Sequence, residues 1–102
     1  MTAEPLSDAE IATALGALEG WTRAGDSITR AYQAFDFTGA IHVVNIVASL
    51  AEEAQHHPDI DIRWRNVTFT LSTHDAGGKV TRADVDMAAQ INAAIALEQS
   101  AR

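Results

Sequence analysis

Three histidines have the residue type and spacing needed for proton-transfer chemistry. His56 and His57 are adjacent and are followed by Pro58, and His74 ends the segment TLSTH. An unperturbed imidazole titrates at about pH 6.5, so neighbouring histidines can supply an acid and a base together at neutral pH. The sequence therefore indicates general acid–base catalysis, provided that the fold brings these side chains together.

A β-hairpin is predicted to bring the histidines together. The runs DIDIRW and VTFTLST alternate apolar and polar residues, which is typical of antiparallel strands with one solvated face. Antiparallel pairing places the start of the first strand near the end of the second, so the His56–His57 corner and His74 should converge. In this hairpin Trp64 is predicted to anchor the first strand, and Arg65–Asn66 is predicted to form the connection.

Helical periodicity and capping signals predict three helices around this hairpin. Ser7 and Glu10 have the spacing of a capping box at the first helix, and Thr81 and Asp84 have it at the last. The middle helix, DFTGAIHVVNIVASLAEEAQ, is expected to end at His57–Pro58, because the residue before a proline is displaced from the helical region.

The order of the elements predicts the fold class. A second hairpin with Ala24-Gly25-Asp26 at its turn lies between the first two helices. The order is then helix-strand-strand-helix-strand-strand-helix, which predicts an α+β fold with a four-stranded antiparallel sheet and three helices on one face. No linker or repeat divides the chain, so residues 1–102 are expected to form a single domain.

Composition excludes several function classes. The chain has 102 residues, no cysteine and a net charge of -7, so disulfides, thiolate catalysis and cysteine zinc sites are excluded. The acidic balance argues against nucleic-acid and anionic-membrane partners, which require clustered Lys and Arg. The N-terminal MTAEPLSDAE has no signal-peptide pattern, and the chain has no apolar run of membrane-spanning length. A cytoplasmic protein is therefore expected.

These polar residues are also compatible with metal binding, solvation or helix capping. Three histidines with Glu52 or Asp75 nearby could ligate zinc, but adjacent histidines on an extended chain point to opposite faces, so no metal site is expected. His42 lies on the polar stripe of the middle helix and is predicted to be solvated. Asp84 is expected either to cap the last helix or to have a functional role, in which it orients His74 or contacts a substrate. The structural and the functional interpretation both remain open.

The histidines belong to a longer pattern that resembles the pterin-4a-carbinolamine dehydratase family. The residues that carry the pattern are Glu52, His56-His57-Pro58, Trp64, His74 and Asp84. The segment LSTHDAGGKVTRADVDMA is also similar to the strand, loop and helix start of that family. The resemblance extends over residues 7–98.

The resemblance implies a fold, a reaction and a set of site residues. It implies a four-stranded antiparallel sheet in an α+β subunit that assembles as a homodimer or homotetramer. The implied reaction is loss of water from 4a-hydroxytetrahydropterin to give quinonoid dihydropterin, without metal or redox cofactor, which recycles the pterin of an aromatic amino acid hydroxylase. By position, the catalytic residues are His56, His57, His74 and Asp84, and the pterin-binding residues are Glu52, Pro58, Thr73 and Asp75.

Two other functions stay open at this point. Animal members of the family also act as dimerisation partners of a transcription factor, which requires exposed apolar positions on the middle or last helix. A dehydratase-like protein could also serve another pterin, such as one in molybdopterin metabolism. The sequence does not assign the acid and the base among the histidines.

Overall fold

The computed structural model describes residues 4–101, so residues 1–3 and 102 of the predicted domain lie outside the described residues. It has the α+β architecture and the element order that the sequence predicts. The elements are α1 (Asp8–Gly16), β1 (Thr22–Ala24), β2 (Ser27–Gln33), α2 (Phe37–Ala54), β3 (Asp59–Arg63), β4 (Asn66–Leu71) and α3 (Arg82–Ser100).

The four strands form one antiparallel sheet in the order β1-β2-β4-β3. Ile28 of β2 is paired with Leu71 of β4, and Asp59 of β3 is paired with Thr70. One face of the sheet is apolar and contributes to the core with the helices, because side chains alternate between faces along each strand. The core includes Ile28, Tyr32, Val67, Phe69 and Leu71 of the sheet, Val43 and Val47 of α2, and Ile91 and Ile95 of α3.

Both predicted capping boxes are confirmed. The Ser7 hydroxyl accepts the Glu10 N–H at 3.1 Å, and the Ser7 N–H donates to Oε1 of Glu10 at 2.8 Å. Thr81 and Asp84 form the equivalent pair at the start of α3. Each box satisfies amides that have no partner within the helix, so local sequence decides where α1 and α3 begin. None of the helices within residues 4–101 is long and apolar enough to cross a membrane.

The prediction that Trp64 anchors the first hairpin strand is wrong. Arg63 is paired with Asn66, so the two-residue connection is Trp64–Arg65 and not Arg65–Asn66. Trp64 has a φ of 55° and is 67% exposed. It leaves the alternation of the strand because the turn begins one residue earlier than the apolar pattern suggested.

β3 is an edge strand, and this explains its exposure. Ile60 and Ile62 are opposite Phe69 and Val67, so they lie on the apolar face of the sheet. Each is nevertheless 37% exposed, whereas Phe69 and Val67 of the neighbouring β4 are fully buried. A period-2 pattern identifies the face of a residue, but it does not reveal whether a strand lies at the edge of its sheet.

Candidate active site

The end of α2 sets the position of the two adjacent histidines. Gln55 adopts a left-handed backbone conformation with φ 53° and ψ 40°, which ends the helix at Ala54. The N–H of His56 then donates to the carbonyl of Ala51 at 3.1 Å, closing the last turn as in a Schellman motif. The helix therefore ends before the predicted boundary at His57–Pro58. The left-handed residue, rather than the proline, releases the histidines from the helix.

The three histidines line one pocket, as antiparallel pairing predicted. The pocket has a volume of about 300 Å³ and lies between the end of α2 and the segment that follows β4. This volume is at the small end of the range for small-molecule sites. The lining residues are Gln55, His56, His57, Ser72, Thr73, His74 and Asp75.

His56 is held by a buried carboxylate. Its Nε2 lies 2.6 Å from Oδ1 of Asp84, and the two side chains are 15% and 0% exposed. The other carboxylate oxygen, Oδ2, accepts the Thr73 hydroxyl at 2.8 Å and the Thr81 N–H at 2.8 Å. Asp84 therefore caps α3 and also binds a histidine. The histidine is His56, whereas the sequence suggested His74.

His57 has an exposed partner instead. Its Nε2 contacts a carboxylate oxygen of Glu52, one turn back in α2. The side chains of His57 and Glu52 are 57% and 74% exposed, so water surrounds this pair. The two adjacent imidazoles thus differ in environment, one bonded to a buried carboxylate and the other to an exposed one.

His74 has no hydrogen-bonding partner for its ring among residues 4–101. It lies in the short turn His74–Ala76 that follows β4, and its side chain is exposed at the pocket. Its two ring nitrogens are therefore available to a bound molecule. In the same described range, no group of three or more histidine, aspartate or glutamate side chains is arranged to hold a metal ion.

The remaining predicted residues are divided between the pocket and its surroundings. Asp75 lines the pocket, and Thr73 does too, although the Thr73 hydroxyl is bonded to Asp84. Glu52 and Pro58 are not among the lining residues. His42, 57% exposed, contacts Glu98 at 3.7 Å instead of the pocket.

Two lining residues, Gln55 and Ser72, were not predicted as site residues. Gln55 directly precedes the histidine pair. Ser72 lies two residues before His74, a spacing that places side chains on the same side of an extended segment. That spacing is the signal from which Ser72 was predictable.

Comparison with known proteins places this chain in a family. Residues 4–94 match the model of a family described as Pterin 4 alpha carbinolamine dehydratase. A relative from Nocardia farcinica, named "Putative pterin-4-alpha-carbinolamine dehydratase", is 62% identical over 92 residues, which are 90% of this chain and 96% of the relative. A protein of the same name from Roseiflexus castenholzii is 60% identical over 87 residues, 85% of this chain and 92% of the relative.

Solved structures share the fold. A crystal structure described as a transcriptional coactivator/pterin dehydratase from Brucella melitensis has a TM-score of 0.86 and 34% identity, covering 90% of this chain and 99% of that one. A pterin dehydratase-like protein identified as a RuBisCO assembly factor in the alpha-carboxysome has a TM-score of 0.64 and 21% identity, over 76% of this chain and 90% of that one. At that identity, the second likeness concerns the fold alone.

Proposed function

Because the chain belongs to the pterin 4 alpha carbinolamine dehydratase family, we propose that it removes water from 4a-hydroxytetrahydropterin to give quinonoid dihydropterin. The observation that carries this proposal is the convergence of His56, His57 and His74 on one pocket. After a separate two-electron reduction to tetrahydropterin, the product would again serve an aromatic amino acid hydroxylase.

The chemistry requires an acid and a base at one place. The hydroxyl group leaves carbon 4a as water once an acid protonates it, and a base takes the proton of a pterin N–H. The C–O bond breaks, a C=N bond forms, and the sum is loss of one water molecule. Positioned imidazoles can perform both proton transfers, and each transfer contributes about 10²- to 10⁴-fold to the rate.

The three imidazoles of the pocket differ in their hydrogen-bonding partners, and this difference supports the assignment. His56 is anchored to Asp84, His57 is exposed and paired with Glu52, and the His74 ring is unengaged by residues 4–101. The exposed histidines can turn toward the substrate. Asp75 and the backbone of Thr73 lie beside them and are assigned to pterin binding, with Glu52 and Pro58 supporting the corner from outside the lining.

The direct test is dehydration of freshly generated 4a-hydroxytetrahydropterin, followed by the absorbance of quinonoid dihydropterin. We expect the protein to accelerate the reaction, and His56→Ala and His74→Ala each to lower kcat by about 10²- to 10⁴-fold. His42→Ala is the matched control, because His42 lies outside the pocket and should keep the rate of the parent protein. Absence of acceleration over the spontaneous rate, or full rates in both pocket variants, would overturn the proposal.

A second property, self-association, is favoured by an apolar surface between α2 and α3. Leu97 is 61% exposed and lines, with Ile46, a groove of about 440 Å³. Ile46 is partly buried, so Leu97 is the large exposed apolar side chain of this groove, and exposed apolar surface of this kind marks interaction sites. We assign this surface to a second copy of the chain in a homodimer or homotetramer. Sedimentation should give a multiple of 10.9 kDa, reduced by Leu97→Asp, and a parent protein of 10.9 kDa would refute the assignment.

A further inference from the structure

Behind His56 lies a series of buried polar side chains that are hydrogen-bonded to one another. Thr73, Thr81 and Asp84 are 7%, 2% and 0% exposed. The Thr73 and Thr81 hydroxyl oxygens are 2.6 Å apart, and the Thr73 hydroxyl donates to Oδ2 of Asp84. The series runs from the start of α3, across the end of β4, to the imidazole of His56.

With Asp84 ionised, the number of protons available fixes the direction of every bond in this series. A carboxylate only accepts, so the single hydroxyl proton of Thr73 lies on its bond to Asp84. Thr73 then has no proton left for Thr81, so Thr81 must donate in the 2.6 Å contact. The Thr81 oxygen in turn accepts the Ala83 N–H at 3.2 Å.

The protonation of His56 follows from the acceptor positions that the Asp84 carboxylate has left. Oδ2 of Asp84 is occupied by the Thr73 hydroxyl and the Thr81 N–H. Oδ1 is left to accept from Nε2 of His56, which must therefore carry a hydrogen. A neutral imidazole has one N–H, so its Nδ1 is an acceptor. In this state Nδ1 is the nitrogen that can take a proton from a substrate.

From this geometry we infer that Thr81 is a positioning residue: acting through Thr73 and Asp84, its hydroxyl holds neutral His56 in the Nε2–H tautomer and makes it the base. The consequence for the rate rests on the proposed dehydratase function, whereas the tautomer does not. Hydrogen bonds in a buried series polarise one another, so loss of the Thr81 hydroxyl weakens the hydrogen bond between Asp84 and His56.

The tautomer is measured by ¹⁵N NMR of the full chain labelled in histidine, at alkaline pH, with His56→Gln used to assign the His56 signals. We expect a protonated Nε2 and an unprotonated Nδ1 in the parent protein. An Nδ1–H tautomer would overturn the inference, whatever the substitutions below do.

Thr81→Val and Thr81→Ser separate the hydroxyl from the shape of the side chain. Valine should shift the His56 ¹⁵N signals toward a mixture of tautomers and lower kcat by about 10-fold with KM unchanged, as supporting residues of active sites do. Serine keeps the donor and should restore both readouts. Unchanged signals and kcat in the valine variant would contradict the role of Thr81.

Ser7→Ala is the control for loss of a helix cap alone, because it removes the equivalent side chain of α1. That variant should lower stability while leaving the His56 signals and kcat as in the parent. If it changed them as Thr81→Val does, the positioning role would be refuted. If the predicted tautomer and its valine shift are found in a protein without dehydratase activity, the positioning stands and the proposed function fails.

Discussion

His56 and His57 are neighbours in the chain, and each contacts a carboxylate, yet their two pairs differ in almost every physical respect. The His56–Asp84 pair is buried, with side-chain exposures of 15% and 0%, and joins segments that are 28 residues apart. The His57–Glu52 pair is exposed, at 57% and 74%, and its residues are five positions apart. One position along the chain therefore separates a largely buried imidazole from a solvent-exposed one.

Burial decides which of the two pairs can maintain its geometry. An exposed pair gains little, because water and salt screen its attraction and ordering two side chains costs entropy. In a buried pair, loss of one partner leaves the other desolvated and unsatisfied, so its position is strongly enforced. We therefore expect the His56–Asp84 pair to fix a proton-transfer group and the His57–Glu52 pair to remain adjustable.

The largest contrast should come from removing the two carboxylates. Asp84→Ala eliminates the partner of His56, the acceptor of Thr73 and the capping interaction of α3, so we expect it to lower the free energy of unfolding by about 3–5 kcal/mol. Glu52→Ala is the matched control and should change it by no more than about 0.5 kcal/mol. Urea unfolding measures both free energies, and equal losses would contradict the greater structural role of the buried pair.

Removing the imidazoles should give a smaller contrast in the same direction. His56→Ala leaves Oδ1 of buried Asp84 without its donor, which should cost about 1–3 kcal/mol of unfolding free energy. His57→Ala removes only an exposed contact and should cost about 0–1 kcal/mol. Chemical denaturation of the two variants checks this order, and a greater loss for His57→Ala would be inconsistent with the burial of the two pairs.

Salt should weaken the coupling within the exposed pair more than the coupling within the buried pair. A double-mutant cycle for His57 and Glu52 should give a coupling of about 0.2–1 kcal/mol at low salt. That coupling should vanish in 1 M salt, where the Debye length is about 3 Å. The cycle for His56 and Asp84 should keep most of its coupling, because salt does not enter the buried site. Equal salt dependence in the two cycles would argue against this distinction.

The smallest expected effect concerns Glu10, the exposed counterpart of Asp84 in a capping box. The Ser7 backbone N–H, and secondarily the Ser7 hydroxyl, hold the pKa of Glu10 below its ordinary value. A lowered pKa stabilises the fold above the ordinary glutamate pKa, and this stabilisation is lost as pH falls through the lowered value. Glu10→Gln should therefore melt slightly below the parent at neutral pH.

Thermal melts of Glu10→Gln and the parent over a range of pH measure this effect. The two melting temperatures should converge in acid, where Glu10 of the parent is protonated. A difference between the two proteins that is constant across pH would show that the Glu10 charge does not contribute. Such a result would leave the capping of α1 to the Ser7 hydroxyl alone.

Predictions based on short-range patterns were confirmed where the local chain decides the structure. Alternation located β4, and capping boxes located the starts of α1 and α3, because a strand face and a helix start depend on residues within a few positions. Sequence also predicted that the histidines meet in one pocket, since antiparallel pairing relates the two ends of a hairpin.

Predictions failed where the environment comes from distant residues or from a single backbone angle. The exposure of Trp64 depends on a turn that begins after Arg63. No periodic pattern marks Gln55 as a left-handed residue, so the end of α2 was expected too late. Asp84 was predicted to cap the last helix or, alternatively, to orient His74 or contact a substrate, whereas packing brings the capping carboxylate to His56.

Local pattern and residue identity are sufficient to predict the order of the elements, the polar and apolar faces and the family to which the chain belongs. The assembled fold, in contrast, gives His56 a buried carboxylate and His57 an exposed one. The physical reason is that burial is a property of the assembled molecule: α3 must pack against the end of β4 before Asp84 loses its water and takes His56 as its partner.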